Sequence, residues 1–438
     1  MYALKPSYVL LLDEVLADPL MRARVERVLA ALPPDTPREV ITLDELPAAA
    51  QRHGWDRGGP MGVPPPAGDP GLFLGVMRWD GRWDERREAA RAAWPQFPGG
   101  KLRAALGYDA FQMFSSHQTE YKPCPDHVCR PAWRIHMVHN CPHKCFYCSL
   151  REPLMAMANV EEYVTKLAEL SRLNPWQKTW LFEDDSEALA LEPELGGLPA
   201  IMDWCARSDD NYVIVHTKSA NVDWLEHQDH RGRTILVWSL TARTQSDELE
   251  SGSATMAERI EAARRCQEWG YTVRFKFKPI VPVLGWREEL AEMIRLVFER
   301  TRPDVISLFM LAWMDHAELV RLLDPARLDP RFVAGAAAAA EELKDSRVRP
   351  FPHELRREVY QFCFDEVRRW DTEVPVSLST ETTRMWHDLG PVLGLEPSNY
   401  PCGCGPQSVP GLRRLPVNPW QVAQPVPVLG HAGRVPEG

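Results

Sequence analysis

The sequence predicts an α/β protein built on a partial (β/α)6 TIM-like barrel, with an N-terminal α/β segment and a C-terminal helical cap. Three observations predict it. From about residue 133 to 311, short β-type runs alternate with helical ones, the pattern of βα units around a parallel sheet. The chain has 438 residues and 45% hydrophobic content, enough to bury a large core. A cysteine-rich loop, HNCPHKCFYCSL, follows the first of these β-type runs, and barrels gather their chemistry at such strand ends.

The elements follow in order. Residues 7 to 50 read as a strand from Tyr8 to Leu12, a helix around Leu20 to Leu32 and a second strand from Glu39 to Leu43. The stretch from Gly54 to Gly71 is rich in proline and glycine and reads as a loop or linker, after which Leu72 to Met77 resumes a strand. The six barrel strands are expected at Ile135 to His139, Thr179 to Glu183, Tyr212 to Thr217, Thr234 to Leu240, Thr272 to Ile280 and Val305 to Leu311. Between them, Val160 to Leu173, Leu198 to Ala206, Thr255 to Trp269 and Glu288 to Arg300 have helical spacing. Charged helices then follow, at Asp315 to Leu323, Val333 to Leu343 and Glu354 to Arg369, and read as a cap. The proline-rich end reads as extended and partly disordered. The expected divisions are 1–115 for the N-terminal segment, 116–315 for the barrel, 316–395 for the cap and 396–438 for a tail carrying a CxC motif.

Cys141, Cys145 and Cys148 are spaced x3 and x2 on one loop. A 4Fe-4S cubane held by three thiolates keeps one iron without a protein ligand, free to chelate a small molecule. A zinc site completed by His143 or His139, or reduced structural thiols, are the alternatives. Zinc sites usually pair two CxxC halves, and this loop has no partner pair.

Net charge is −10, which disfavours a protein that coats DNA through its overall field. A local basic groove would draw on Arg347, Arg349, Arg356, Arg357, Arg368 and Arg369. Glu354, Glu358 and Asp365 are interleaved among them, so a charge-paired helix face is the expectation. The first apolar run is short and interrupted by Asp13 and Glu14, which predicts a cytoplasmic protein without a membrane anchor. Ten cysteines in that setting read as metal ligands and reduced thiols.

The cysteine spacing, with Tyr147 one residue before the third thiol, resembles that of the radical S-adenosylmethionine superfamily. Further stretches narrow the resemblance to a divergent member of the spore photoproduct lyase-like family: CPHKCFYC, the FED run from Phe182, HTKSANVD from His216, VWSLTART from Val237, ERIEAARRCQEWGY from Glu258 and KPIVPVLGW from Lys278. The resemblance implies a 4Fe-4S cluster on Cys141, Cys145 and Cys148, with Tyr147 bordering S-adenosylmethionine and Lys218 and Ser239 meeting it. It further implies reductive cleavage to a 5'-deoxyadenosyl radical that abstracts a substrate hydrogen, with electrons from a partner such as flavodoxin or ferredoxin. A lysine can pair with the cofactor's carboxylate, and a strand-end serine with its hydroxyls.

Two departures bear on the substrate. The family places a hydrogen-donating cysteine shortly after the FE pair, where this chain reads Phe182, Glu183, Asp184, Asp185, Ser186. The tyrosine that usually follows the third cluster cysteine is Ser149. Initiation is therefore expected to be retained and termination altered. A nucleoside, base or biosynthetic metabolite is the expected substrate, with DNA photoproduct repair as the alternative and a zinc-stabilised binding protein as a reading of another class. Glu183, Asp184 and Asp185 could bind a cationic or hydroxylated substrate, or form a charged turn. Cys124, Cys129, Cys402 and Cys404 form two further pairs. They would make a zinc site or second cluster if they converge; separate free thiols, or a redox or hydrogen-donating Cys404 or Cys402, are the alternatives. Cys205, Cys266 and Cys363 read as buried core thiols.

Overall fold

The computed structural model describes residues 2–57, 68–114, 127–150 and 153–431. Its larger sheet has eight strands: β1 (Phe111–Phe114), β2 (Ala132–Ile135), β3 (Thr179–Phe182), β4 (Tyr212–Thr217), β5 (Thr234–Leu240), β6 (Thr272–Ile280), β7 (Ile306–Met310) and β8 (Val376–Leu378). They lie side by side in chain order. β2 to β8 are all parallel, and β1 joins antiparallel to β2.

Side chains from β1 through β7, together with Ser379 just past β8, line a single cavity. A curved sheet converges in this way, and the mixed α/β architecture is consistent with the partial barrel expected from the sequence. The crossover helices use the predicted spacing. In Trp286–Arg300, for example, Leu290, Met293, Ile294 and Val297 are buried along one face. Met256–Glu268 starts at a capping box in which Thr255 and Glu258 each satisfy the other's backbone N–H.

The first barrel strand lies earlier than predicted, at Ala132–Ile135 and not Ile135 to His139. β2 ends at Ile135, and Val138–His139 belongs to another sheet. The cause is Glu183, whose carboxylate accepts the N–H groups of Met137 (2.6 Å) and Val138 (2.8 Å) and turns the chain out of the ladder. The second sheet runs Arg38–Ile41, Val9–Leu12, Leu72–Gly75, Leu154–Met157, Val138–His139. The N-terminal segment is thus not a separate unit, because two of its five strands flank the cysteine loop.

The expected helical cap is also corrected. His353–Trp370 packs beside Trp286–Arg300 and leads into β8, which pairs parallel with β7. Residues 316–395 therefore add a further βα unit to the barrel wall. The buried pair Arg356 and Glu381 (2.8 Å) fixes this unit from inside, while Arg357 and Arg369 pair with Glu354 and Glu366 on the same helix. The charged run is a paired helix face.

The tail, expected to be extended and partly disordered, is built into the barrel as far as residue 431. Fully buried Arg274 donates to Cys402 O (3.1 Å), Ser408 O (2.7 Å) and Asp304 (2.7 Å). His216 reaches Gly403 O at 2.7 Å, and Lys178 and Thr179 donate their backbone N–H groups to Pro406 O. Arg274, Lys178 and Thr179 lie at or near the starts of strands, whereas His216 is the penultimate residue of β4, so the CGC turn enters from the end opposite the cysteine loop and reaches up into the barrel. The turn approaches the barrel closely at Gly403, where a Cβ would sit 2.9 Å from Lys276 Cε and 3.2 Å from Val237 Cγ1. Among the described residues no helix is long and apolar enough to cross a membrane.

Replacing Arg274 by methionine leaves two buried carbonyls and Asp304 without their donor. The expected loss is about 3–5 kcal/mol of stability, read by chemical denaturation, with faster iodoacetamide labelling of Cys402 and Cys404 under native conditions.

Candidate active site

The cysteine loop is held at three places. Its ends are the antiparallel strands Val138–His139 and Leu154–Met157. Asn140 enters the loop with φ 66°, a left-handed conformation that asparagine tolerates, and closes it by donating Nδ2–H to Pro153 O at 2.6 Å. In the middle, Lys144–Cys145 pairs antiparallel with Glu250–Ser251, with Cys145 opposite Glu250, and Phe146 N–H donates to Leu249 O.

Glu250 is the electrostatic centre of this arrangement. Its Oε1 accepts Lys218 Nζ at 2.6 Å and the Tyr147 hydroxyl, and its Oε2 accepts Arg259 Nη2 at 2.6 Å and Thr241 Oγ1 at 3.0 Å. Lys218 also reaches Tyr147 OH at 2.6 Å, with its ammonium 5.1 Å from the ring centroid. Burial alone would raise the Glu250 carboxyl. Lys218 and Arg259, with these hydrogen bonds, outweigh it and hold the group down at about 2. Sequence reasoning placed Tyr147 and Lys218 at the cofactor; the structure brings them together through Glu250, which it missed. No local pattern marks Glu250, because its partners arrive from β4, from the helix Met256–Glu268 and from the cysteine loop. Ser239, on β5, faces the same cavity, and its carbonyl accepts from Arg259 at 2.9 Å.

The acidic run divides by position. Asp184, Asp185 and Ser186 line the cavity, whereas Glu183 is fully buried outside it, at φ 57°, serving the backbone N–H groups of Met137 and Val138. Asp184 is paired with Arg134. Glu187, four residues on from Glu183, takes His143 at 3.2 Å, Lys218 N–H at 2.8 Å and the Thr217 hydroxyl. Burial opposes the charge on Glu187, yet these partners hold its carboxyl below the ordinary value. Ser186 Oγ is buried without a hydrogen-bond partner. His136 and His139 stack at 5.5 Å behind this run, and burial pushes both down, His139 to about 4.

Three members of the second cysteine set lie near one another, but among the described residues they do not converge as a site for a single ion. Cys402 donates its S–H to Cys404, and Cys129 lies within electrostatic reach of Cys404. Cys129 and Cys404 line the same cavity as the loop cysteines, facing Lys276 and Lys278. The hydrogen bond from Cys402 lowers Cys404 against the effect of burial, helped by Lys276, Arg134 and Lys278. Cys124 lies outside the described residues. Cys205, Cys266 and Cys363 are buried on helices, as expected.

The shared cavity has a volume of about 430 Å³. Cys141, Cys145 and Cys148 all open onto it, beside Tyr147, Lys218 and Ser239. Among the described residues no three His, Cys, Asp or Glu side chains converge as a site for a single ion. A cluster takes each thiolate on a different iron and does not need them to meet at one point. Burial raises the Cys141 and Cys145 thiols, the latter to about 12 although Lys218 opposes it. Thiolates there need strong positive charge beside them, which iron supplies.

Residues 129–316 match the family model described as spore photoproduct lyase. Over this stretch the chain is similar to spore photoproduct lyases of the radical S-adenosylmethionine superfamily. It is 20% identical over 177 residues to a spore photoproduct lyase of Clostridium acetobutylicum, covering 38% of this chain and 53% of that one. With the Bacillus subtilis spore photoproduct lyase it shares 25% identity over 163 residues, 36% of this chain and 48% of that protein. The chain thus spans about half the length of the curated relatives it matches. A solved spore photoproduct lyase variant with bound AdoMet and dinucleoside spore photoproduct superposes at TM-score 0.55 and 13% identity, covering 86% of this chain and 98% of that one. That likeness establishes the fold. The family uses a 4Fe-4S cluster and S-adenosylmethionine, and the donor set here fits them: Cys141, Cys145 and Cys148 for the cluster, Tyr147, Lys218 and Ser239 for the cofactor.

Replacing Glu250 by glutamine leaves Lys218 and Arg259 without their buried counter-charge, so stability at pH 7 should fall by about 3–5 kcal/mol. Because the folded carboxyl sits at about 2, below its ordinary 4.5, its stabilisation is complete above pH 4.5 and fades as pH falls toward 2. Denaturation curves of the two proteins should therefore converge on acidification, and diverge again as pH is raised.

Proposed function

We propose that this protein is a radical S-adenosylmethionine enzyme that abstracts a hydrogen atom from a small substrate other than the thymine photoproduct in DNA. One observation carries the reading: the three loop thiols and the cofactor-facing residues open onto the same cavity. Bound there, the cluster and S-adenosylmethionine would supply a 5'-deoxyadenosyl radical. The protein's own share is to fix Tyr147 and Lys218 through Glu250, and to exclude water behind a wall of barrel strands. A one-electron donor of the flavodoxin or ferredoxin class would reduce the site.

The altered ending supports a different substrate. Ser186 or one of its neighbours, none of them a cysteine, stands where the family would return hydrogen from a thiol, and an O–H bond is too strong for that task. The Cys402–Cys404 pair, presented from the opposite end of the barrel, is the candidate replacement. With Cys404 in its thiol form, its S–H bond would break as the C–H bond of the product forms, leaving the radical on the Cys404 sulfur, which opens onto the cavity. Asp184, already neutralised by Arg134, does not favour a cationic substrate.

Anaerobically reconstituted protein with dithionite and S-adenosylmethionine should form 5'-deoxyadenosine, detected by chromatography and mass spectrometry. Added dinucleoside spore photoproduct should remain unrepaired. Recovery of the repaired dinucleotide would restore the DNA-lyase reading, whereas zinc without iron or sulfide in anaerobically purified protein would favour a binding protein.

A further inference from the structure

The part of the cavity formed by β6, β7 and the loops after β7 and β8 is charged in a way that the radical reading does not use. Lys276 is 2% exposed, and among the described residues neither it nor Lys278 has a carboxylate within ion-pair distance. Lys278 Nζ instead faces two rings, 5.1 Å from the Phe309 centroid and 5.6 Å from that of Trp313. Lys278 is half-buried beside Lys276, and an ammonium removed from water is costly without an anion, the more so next to a second one.

The acids of the cavity do not answer this charge. Asp184 pairs with Arg134, and Glu187 is taken up by His143, Thr217 and the Lys218 backbone. Asp185, the remaining acid in the wall, has His139, Asp109 and Glu183 as its titratable neighbours. A Cys404 thiolate offsets one positive charge and leaves the second. Burial and the charge of Lys276 push Lys278 down to about 7, the effect of a missing partner.

Two wall residues are also held in backbone conformations unusual for their side chains, Trp313 at φ 67° and Thr380 at φ 54°. Such conformations persist where the surroundings dictate them, often at ligand sites. Trp313 is 39% exposed, leaving much of its surface open to a guest. A space of about 430 Å³ that also takes the cofactor favours a small guest.

We propose that Lys276 and Lys278 hold the carboxylate or phosphate of a small organic anion whose flat apolar body lies against Phe309 and Trp313. This deepens the radical reading and rests on it. It names the substrate class by its charge and shape, and assigns the lysines a specificity role.

The test uses the full chain, reconstituted anaerobically and saturated with S-adenosylmethionine, in equilibrium dialysis against two matched pairs: uridine 5'-monophosphate with uridine, and indole-3-acetate with indole. The anion of at least one pair should bind at least tenfold more tightly than its neutral partner. Preference in the first pair alone assigns a phosphate, and in the second a carboxylate. The preference should be lost in Lys276→Met/Lys278→Met and kept in Lys278→Arg, which retains the charge if the double variant fails to fold. Equal binding within both pairs by the unmodified protein overturns the proposal, as does a preference that survives in the folded double variant. Formation of 5'-deoxyadenosine by the same preparation separates the two readings. Its presence without anion preference removes this inference alone, while its absence removes the radical reading whatever binds.

Discussion

The site depends on one contact, the antiparallel pairing of Cys145 with Glu250. It joins a loop anchored in the N-terminal sheet to a short segment that follows β5 of the barrel. The same glutamate carries the charge of Lys218 and Arg259 and the hydroxyl of Tyr147. Backbone pairing and ion pairing thus converge on a single residue, and both are buried. Cysteines on a loop can be placed precisely only if the loop is tied to something rigid. Here the rigid body is the barrel, and the tie is Glu250.

A second constraint acts from the other end. The CGC turn is drawn into the barrel by Arg274, His216 and the strand starts, so the tail closes the floor and delivers Cys404 to the cavity. The cavity is therefore bounded by two cysteine-bearing segments of different origin. One is suited to a cluster by spacing. The other is a hydrogen-bonded thiol pair held among Lys276, Lys278 and Arg134. Separating them along the barrel axis leaves room between for a cofactor and a small guest.

Much of the barrel was legible in the sequence because strands and helices alternate in period, and burial on both sheet faces enforces apolar runs such as ILVW in β5. The N-terminal strands at Leu10 and Leu72 were legible for the same reason. Two kinds of feature were not. β8 has only three residues and follows a charged helix, so its run resembled a loop, and the helix before it resembled a cap. The tail looked disordered because proline dominates its composition; what orders it is a buried arginine more than a hundred residues earlier. Within the site, the loop cysteines were evident from spacing, while Glu250, Glu187 and Lys276 carry no local signature. Their partners meet them only after folding, through long-range contacts that composition and periodicity do not encode.

The central claim is that Cys141, Cys145 and Cys148 hold a cluster with one iron open to the cofactor. Mössbauer spectroscopy of 57Fe-reconstituted protein, with and without S-adenosylmethionine, tests it most directly. The account predicts that cofactor addition shifts one iron of four and leaves the other three unchanged. Four irons indifferent to the cofactor, or a cluster that persists when all three cysteines are replaced by alanine, would contradict it.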